Sequence, residues 1–355
     1  MKISNISFKK LELDLSQPYT IAYETVSKTT NYILRCETDN GLAGFGCSAP
    51  DIVVTNEEPE DVEKAINDII IPCLTNSNPF HYFRILHELK NELGKRSSSL
   101  AMADMALFDL ISKKAGVPLY QFLGGFRESI PTSITIGILS LKETLKQAEQ
   151  YVKNGFFIIK LKGGLNVDED IEKILTLKKT YPKIILRFDG NQGYSIDESV
   201  YFYESTKSAE IEIFEQPISI ENEIQMGEVS RQISIPVMAD ESLKSLKDVY
   251  RFVKHNRIDM INIKLMKVGG ILEATHINSV AKAANMEVMI GCIDECELGI
   301  AAGLHFALSR PNIEFADLDG HLDLLGDPFK NLFTLEKGIL SPLQIPGIGI
   351  TDMQF

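Results

Sequence analysis

The runs Phe156-Phe157-Ile158-Ile159-Lys160-Leu161-Lys162, Ile184-Ile185-Leu186-Arg187-Phe188-Asp189 and Ile211-Glu212-Ile213-Phe214-Glu215 decide the fold. Each is a short apolar run closed by a residue capable of ionic chemistry. Four more follow: Val237-Met238-Ala239-Asp240, Met260-Ile261-Asn262-Ile263-Lys264, Val288-Met289-Ile290-Gly291 and Phe315-Ala316-Asp317. The end points (162, 189, 215, 240, 264, 291 and 317) lie 24 to 27 residues apart. A strand, a loop and a crossover helix take about that length. The spacing predicts repeated βα units with a polar residue at nearly every strand end. In a parallel βα barrel those ends converge on one face, where active sites form.

Outward from this repeat, Pro131–Ile138 is the expected first barrel strand, and the barrel should close near Asp319. Before it, Ile3–Leu13, Tyr32–Thr38 and Leu42–Gly46 predict an antiparallel meander, with Asn40-Gly41 as a hairpin turn. The polar segment Gln17–Thr30 and the segment Ser48–Asn56 are expected loops. Helices are predicted over Pro59–Leu74, Phe80–Leu93 and Ser98–Ala115. The tail after Leu322 holds Pro and Gly but no ninth unit, and should return to the N-terminal domain. The expected domains are 1–125, 126–322 and 323–355.

The 355 residues suffice for a barrel of about 200–250 residues plus a smaller domain. A net charge of −13 argues against a nucleic-acid or anionic-membrane partner, since phosphate binding needs clustered Lys and Arg. The five cysteines form no CxxC pair and fit a reducing compartment. No signal peptide or membrane span is evident, so a cytoplasmic protein is expected.

Asp189, Glu215 and Asp240 end the third, fourth and fifth barrel strands. Three carboxylates on adjacent strands form a hard oxygen site suited to Mg²⁺, with Mn²⁺ as the alternative. Lys160 and Lys162 lie two apart on the second strand and therefore on one face. Their mutual repulsion and a nearby metal should lower their pKa values, as a lysine base requires. Lys264 ends the sixth strand, across an eight-strand ring from the second. A base on each side of a bound substrate can take a proton from one face and return one to the other. That inverts a carbon, by way of an enediolate when the carbon lies next to a metal-held carboxylate. Lys267, beyond the strand, is expected to be a structural or loop residue.

Together, Lys160-Leu161-Lys162, Asp189-Gly190-Asn191-Gln192, Glu215-Gln216-Pro217, Ala239-Asp240-Glu241-Ser242 and the segment from Asn262 to Gly270 resemble the muconate-lactonizing subgroup of the enolase superfamily. Lysine bases with Mg²⁺ are a known pairing in that superfamily. The resemblance spans nearly the whole chain. It implies an α/β fold: a modified TIM barrel, (β/α)7β, with an N-terminal α+β capping domain completed by the C-terminal segment. Asp317-Leu318-Asp319 resembles the Asp-x-Asp of dipeptide epimerases such as the L-Ala-D/L-Glu enzymes, whose acids hold the substrate ammonium. The resemblance implies Lys162 and Lys264 as bases and Lys160 at the substrate carboxylate. Thr135, on the first strand, is a further candidate substrate contact.

Specificity in this family comes from two cap loops and the loop after the seventh strand. By alignment, Glu24 replaces the Arg that pairs with a glutamate side chain in Ala-Glu epimerases. Asp51 and Asp294 lie in the other two loops, and Lys28 is the basic residue near them. An acidic pocket would favour Lys or Arg side chains; solvated loop acids are the plainer reading. The alternatives are an L-Ala-D/L-Glu epimerase, an N-succinylamino acid racemase or o-succinylbenzoate synthase, and an inactive metal-binding barrel. Homo-oligomerisation is left open. His321, Cys292 and Cys296 are expected to be structural, and Gly269-Gly270 to shape a turn.

Overall fold

The computed structural model describes residues 1–20, 25–255 and 257–350. Strands β1 (Ile3–Thr20), β2 (Thr25–Thr38) and β3 (Ala43–Ser48) form an antiparallel meander. The expected loop Gln17–Thr30 is instead mostly ribbon: β1 and β2 stay paired out to Tyr19↔Val26 and Thr20↔Thr25. Backbone pairing satisfies a ribbon's main chain whatever its side chains are. The polar composition that suggested a loop therefore belongs to paired strand.

Next come α1 (Pro59–Ala65), extended by a π turn over Ile66–Ile70, then α2 (Tyr82–Leu93) and α3 (Ser97–Ala115). Every residue of α3 from Ser98 to Ser112 is buried. A helix apolar on all sides must be covered on all sides, and α3 lies between the cap sheet and the barrel helices. Gly46 on β3 permits the close approach, since a Cβ there would collide with the Met102 backbone. Buried carboxylates fix the helix in place. Glu57 accepts from the Ser98 and Ser99 amides at its N-terminus. Asp109 accepts from the amides of Phe45 on the cap sheet and Ile348 in the C-terminal segment.

Strands β4 (Ile130–Pro131) and β5 (Ile134–Ile136) replace the single strand expected over Pro131–Ile138. β5 starts the parallel barrel. It continues through β6 (Ile158–Lys162), β7 (Ile185–Asp189), β8 (Ile213–Glu215), β9 (Val237–Ala239), β10 (Met260–Lys264), β11 (Glu287–Gly291) and β12 (Ile313–Asp317), hydrogen-bonded in that order. A Thr132↔Ala316 bridge joins its ends. The crossover helices are α4 (Leu141–Lys153), α5 (Val167–Thr180), α6 (Ile196–Thr206), α7 (Met226–Gln232), α8 (Leu246–His255), α9 (Ile271–Ala283) and α10 (Glu297–Ala307). This is the (β/α)7β order. Capping boxes at Ser140/Glu143 and Ser195/Glu198 start α4 and α6.

Side-chain alternation divides the barrel. Ile213, Met238, Met260 and Met289 form a separate apolar cluster with Phe315 against it. Two residues further along the same faces stand Glu215, Asp240, Asn262, Gly291 and Asp317. The interior is thus largely apolar in the middle, with Arg187 set beside Ile213 and Met289 as its charged member, and ionic at the C-terminal mouth. Outward-facing Phe188 and Phe214 stack with Phe202 of α6 instead.

After the barrel, β13 (Leu324–Leu325) pairs with β1. The hairpin β14 (Phe333–Glu336) and β15 (Ile339–Pro342) pairs with β4. Among the described residues no helix is long and apolar enough to cross a membrane.

Gly269 and Gly270 have φ of +95° and +102° and turn the chain into α9, as expected. A Cβ on Gly270 would lie 2.5 Å from Asp104 Cγ. Asp104, on α3, accepts from the Ile271 and Leu272 amides at 2.6 and 3.0 Å. Gly270→Ala should therefore cost backbone strain and an interdomain helix cap together, about 3 kcal/mol. Chemical denaturation should show that loss. An unchanged midpoint would mean that the contact is slack.

Candidate active site

The strand-end carboxylates converge. The Asp189, Glu215 and Asp240 side chains are 1–5% exposed at three adjacent strand termini. Among the described residues, however, no three His, Cys, Asp or Glu groups stand together at ligating distances. The Lys160 ammonium lies between them, 3.1 Å from Asp189 Oδ2, 2.7 Å from Glu215 Oε2 and 2.9 Å from Asp317 Oδ2. Lys264 Nζ lies 2.8 Å from Asp240 Oδ2. Lys267 Nζ donates to Asp240 Oδ1 at 2.5 Å and also to the Asp240 carbonyl.

These pairings correct one expectation. Burial pushes the Lys160 ammonium down, but Asp189, Asp317 and Glu215 outweigh it and hold the group well above the lysine range. Burial and Asp240 act on Lys264 in the same opposed way, and it too is raised. The repulsion expected between lysines loses because carboxylates stand nearer. Burial pushes Glu215 up to about 8, with Lys160 pulling down and Asp189 and Asp240 repelling. Burial also raises Asp240, yet Lys264 and Lys267 together bring it below the carboxylate range.

Sequence reasoning missed three groups. Lys267 is 2% exposed, so of the two roles expected for it, structural or loop, the structural one fits, but its contact with Asp240 at the mouth was not foreseen. It follows Lys264 by three positions on the single helical turn Leu265–Val268, which returns it to the mouth; an i,i+3 pair before Gly-Gly is a legible signal of that. Asn262 shares its strand face with Lys264 and donates to Glu215 Oε1 at 2.7 Å. Glu241 is buried beside Asp240, and burial and the Asp240 charge push it up to about 7.

The other candidates line one cavity of about 1220 Å³ between cap and barrel mouth. Its walls include Lys160, Lys162, Lys264, Thr135, Asp317, Asp319, Asp51 and Asp294, with Lys28 at the cap side. Lys162 on β6 and Lys264 on β10 come from opposite sides of the ring. The Thr135 amide donates to Asp319 Oδ2 at 2.7 Å. Asp319 is pushed up to about 7, first by burial and then by Asp317. Asp51 Oδ1 accepts from the Val53 and Val54 amides, so part of its carboxylate serves its own loop. The Asp294 carbonyl accepts from Thr29 Oγ1 and Asn31 Nδ2, which ties its loop to β2. Glu24 lies outside the described residues. His321 packs edge-on to Phe333. Cys296 Sγ lies 3.4 Å from Cys47 Sγ across the cap–barrel seam.

The residues fit a divalent cation on two counts. Asp189, Glu215, Asp240, Glu241, Asp317 and Asp319 are six carboxylates against the four ammonium groups of Lys160, Lys162, Lys264 and Lys267, an imbalance costly at low dielectric. Asn191 Oδ1 and Glu241 Oε2 are buried oxygens without a hydrogen-bond partner among the described residues.

Known proteins repeat this architecture. Over 352 residues the chain is 41% identical to the L-Lys-D/L-Arg epimerase of Desulforapulum autotrophicum, covering 99% of each chain. It is 35% identical to the L-Ala-D/L-Glu epimerase of Bacillus subtilis, covering 99% of this chain and 97% of that one. The dipeptide epimerase of Methylococcus capsulatus, solved with Mg and L-Arg-D-Lys, superposes with a TM-score of 0.94 at 33% identity, covering 98% and 99% of the chains. Relatives of this kind are isomerases. Residues 6–124 match the mandelate racemase / muconate lactonizing enzyme N-terminal domain and residues 143–352 the enolase C-terminal domain-like family. The chain therefore belongs to the mandelate racemase / muconate lactonizing enzyme family of the enolase superfamily.

Proposed function

We propose that the protein is a Mg²⁺-dependent dipeptide epimerase that inverts the α-carbon of the C-terminal residue and favours cationic side chains. One observation carries the reading: Lys162 and Lys264, from opposite strands, open into the cavity that also holds Asp317 and Asp319. In this reading Asp189, Glu215 and Asp240 hold the metal, with Mn²⁺ as a substitute. When bound, the cation supplies positive charge to a substrate carboxylate as its α-proton leaves. Lys160 steadies that carboxylate, and Asp317 and Asp319 secure the free ammonium, with the Thr135 amide holding Asp319 in place. Lys162 and Lys264 move the α-proton on either face.

Residues 1–125 would serve as cap, 126–322 as barrel and 323–355 as the return to the cap. The free cysteines support a cytoplasmic location.

The test is mass spectrometry of L,L-dipeptides incubated in D₂O with Mg²⁺. The expected result is a gain of one deuterium at the C-terminal α-carbon with accumulation of the L,D epimer. No exchange in any dipeptide pool would overturn the reading and return attention to succinylated substrates.

The cationic preference rests on Asp51 and Asp294 at the mouth and on the relatives named for Lys and Arg substrates. Lys28 on the same wall favours the second reading, an L-Ala-D/L-Glu epimerase. L-Lys-L-Arg should exceed L-Ala-L-Glu in kcat/KM by about 10-fold or more, and Asp294→Asn should narrow the ratio. Better turnover of L-Ala-L-Glu would establish the second reading.

A further inference from the structure

A buried guanidinium lies one layer beneath the mouth. Arg187 is 4% exposed and sits two residues before Asp189 on the same strand face. Its Nε donates to Glu212 Oε2 at 2.7 Å, and its Nη1 donates to the Ala316 carbonyl at 2.9 Å. Nη1 also lies 3.4 Å from Ser133 Oγ, and the guanidinium packs over the Phe315 ring. Ser133, fully buried just before β5, places Oγ 2.6 Å from Asp317 Oδ1. The other oxygen of Asp317 takes the Lys160 ammonium.

A serine hydroxyl has one proton. Arg187, a donor only, faces the lone pairs of Ser133 Oγ. The alternative acceptor, the Ala316 carbonyl at 3.3 Å, already takes the Arg187 guanidinium and the Ser133 amide. The proton therefore goes to Asp317 as a short, charge-assisted bond. Each Asp317 oxygen then has its own donor, one from the residue preceding β5 and one from β6. The carboxylate is fixed in rotation as well as in place. Neighbouring contacts serve the same end: Thr132 Oγ1 accepts from the Leu318 amide at 2.8 Å, and the Thr135 amide holds Asp319.

We infer that Ser133, backed by Arg187, is a positioning residue that sets the rotation of Asp317 and so lets the acid pair recognise a substrate's free ammonium group. The inference rests on the dipeptide reading above and assigns no chemistry to Ser133 itself. Without the hydroxyl, Asp317 keeps its charge but loses one of its two fixed donors. Recognition of an ammonium then weakens, while recognition of the rest of the dipeptide does not.

The test compares the KM of the best dipeptide found in the exchange assay with the Ki of its N-acetyl derivative, which lacks the ammonium. Ser133→Ala should raise KM and leave Ki unchanged, so that discrimination between the two falls about 10-fold. The value of kcat should stay within about 3-fold, since the proton-transferring lysines are untouched. Asp317→Asn should lose at least as much discrimination. The double variant should lose no more than Asp317→Asn alone, because the two groups act as one unit. Equal rises in KM and Ki, or a fall confined to kcat, would overturn the inference, as would additive losses in the double variant. A wild-type enzyme that exchanges no dipeptide proton would overturn the epimerase reading and this inference with it. Wild-type activity with unchanged discrimination in Ser133→Ala would overturn the inference alone.

Discussion

Lys264→Ala is expected to stop inversion while sparing proton exchange from one epimer. The two lysines enter the cavity from β6 and β10, across the ring from each other. Each can reach only the α-proton on its own face. With Lys264 gone, Lys162 still removes and returns a proton on its side, so that epimer exchanges with solvent deuterium but never inverts. Loss of one positioned acid–base group costs about 10³-fold, and chiral chromatography should show that loss in epimerisation. Lys162→Ala should give the mirror result, with exchange confined to the other epimer. Equal exchange of both epimers in both variants would place the proton transfers elsewhere. Equal loss of exchange for both would point to a single base.

Metal removal should be as severe. Six carboxylates face four ammonium groups at the mouth, and the buried oxygens Asn191 Oδ1, Glu241 Oε2 and Asn262 Oδ1 lack hydrogen-bond partners among the described residues. Chelation should lower turnover by about 10³-fold, since a metal's stabilisation of developing charge amounts to several kcal/mol. Added Mg²⁺ should restore it. Glu215→Gln keeps the shape and the contact with Asn262 but removes one charge, so calorimetry should show Mg²⁺ binding weakened by at least tenfold. Full activity after exhaustive chelation would end the metal reading. Undiminished Mg²⁺ affinity in Glu215→Gln would remove Glu215 from the ligand set.

The parts legible in the sequence are those where one residue suffices. A strand end is marked by its apolar run and a single polar terminator, so Lys162, Asp189, Glu215, Lys264 and Asp317 fall at observed strand ends. Asp240 falls one residue past its strand. The groups that were missed depend on where a chain goes after its strand, or on what lies across the ring. Lys267 returns to the site only because a helical turn rises immediately after β10. Ser133 and Arg187 occupy ordinary inward positions in their segments, and nothing in either segment announces the partner on the other. The long β1–β2 ribbon was obscured for another reason. Strand periodicity shows in a sequence only where one face is uniformly buried, and backbone pairing by itself leaves no such pattern.

The burial of α3 bears on how molecules come and go. A cap whose central helix packs on the barrel, pinned there by Asp104, cannot swing away as a body without opening that interface to water. Among the described residues, the segments 49–58 and 292–296 bring Pro50, Asp51, Val54, Cys292, Ile293 and Asp294 to the cavity wall. The first segment is tied to the barrel by Lys244, which donates to the Val53 carbonyl at 2.7 Å, and it presents Ile52 to solvent. Loops of that size move in about nanoseconds to microseconds, whereas an enzyme turning over about ten times a second spends about 0.1 s on each cycle. Motion on that scale would be far shorter than a cycle of that length. The cap is thus seated on the barrel as a fixed roof rather than as a jaw.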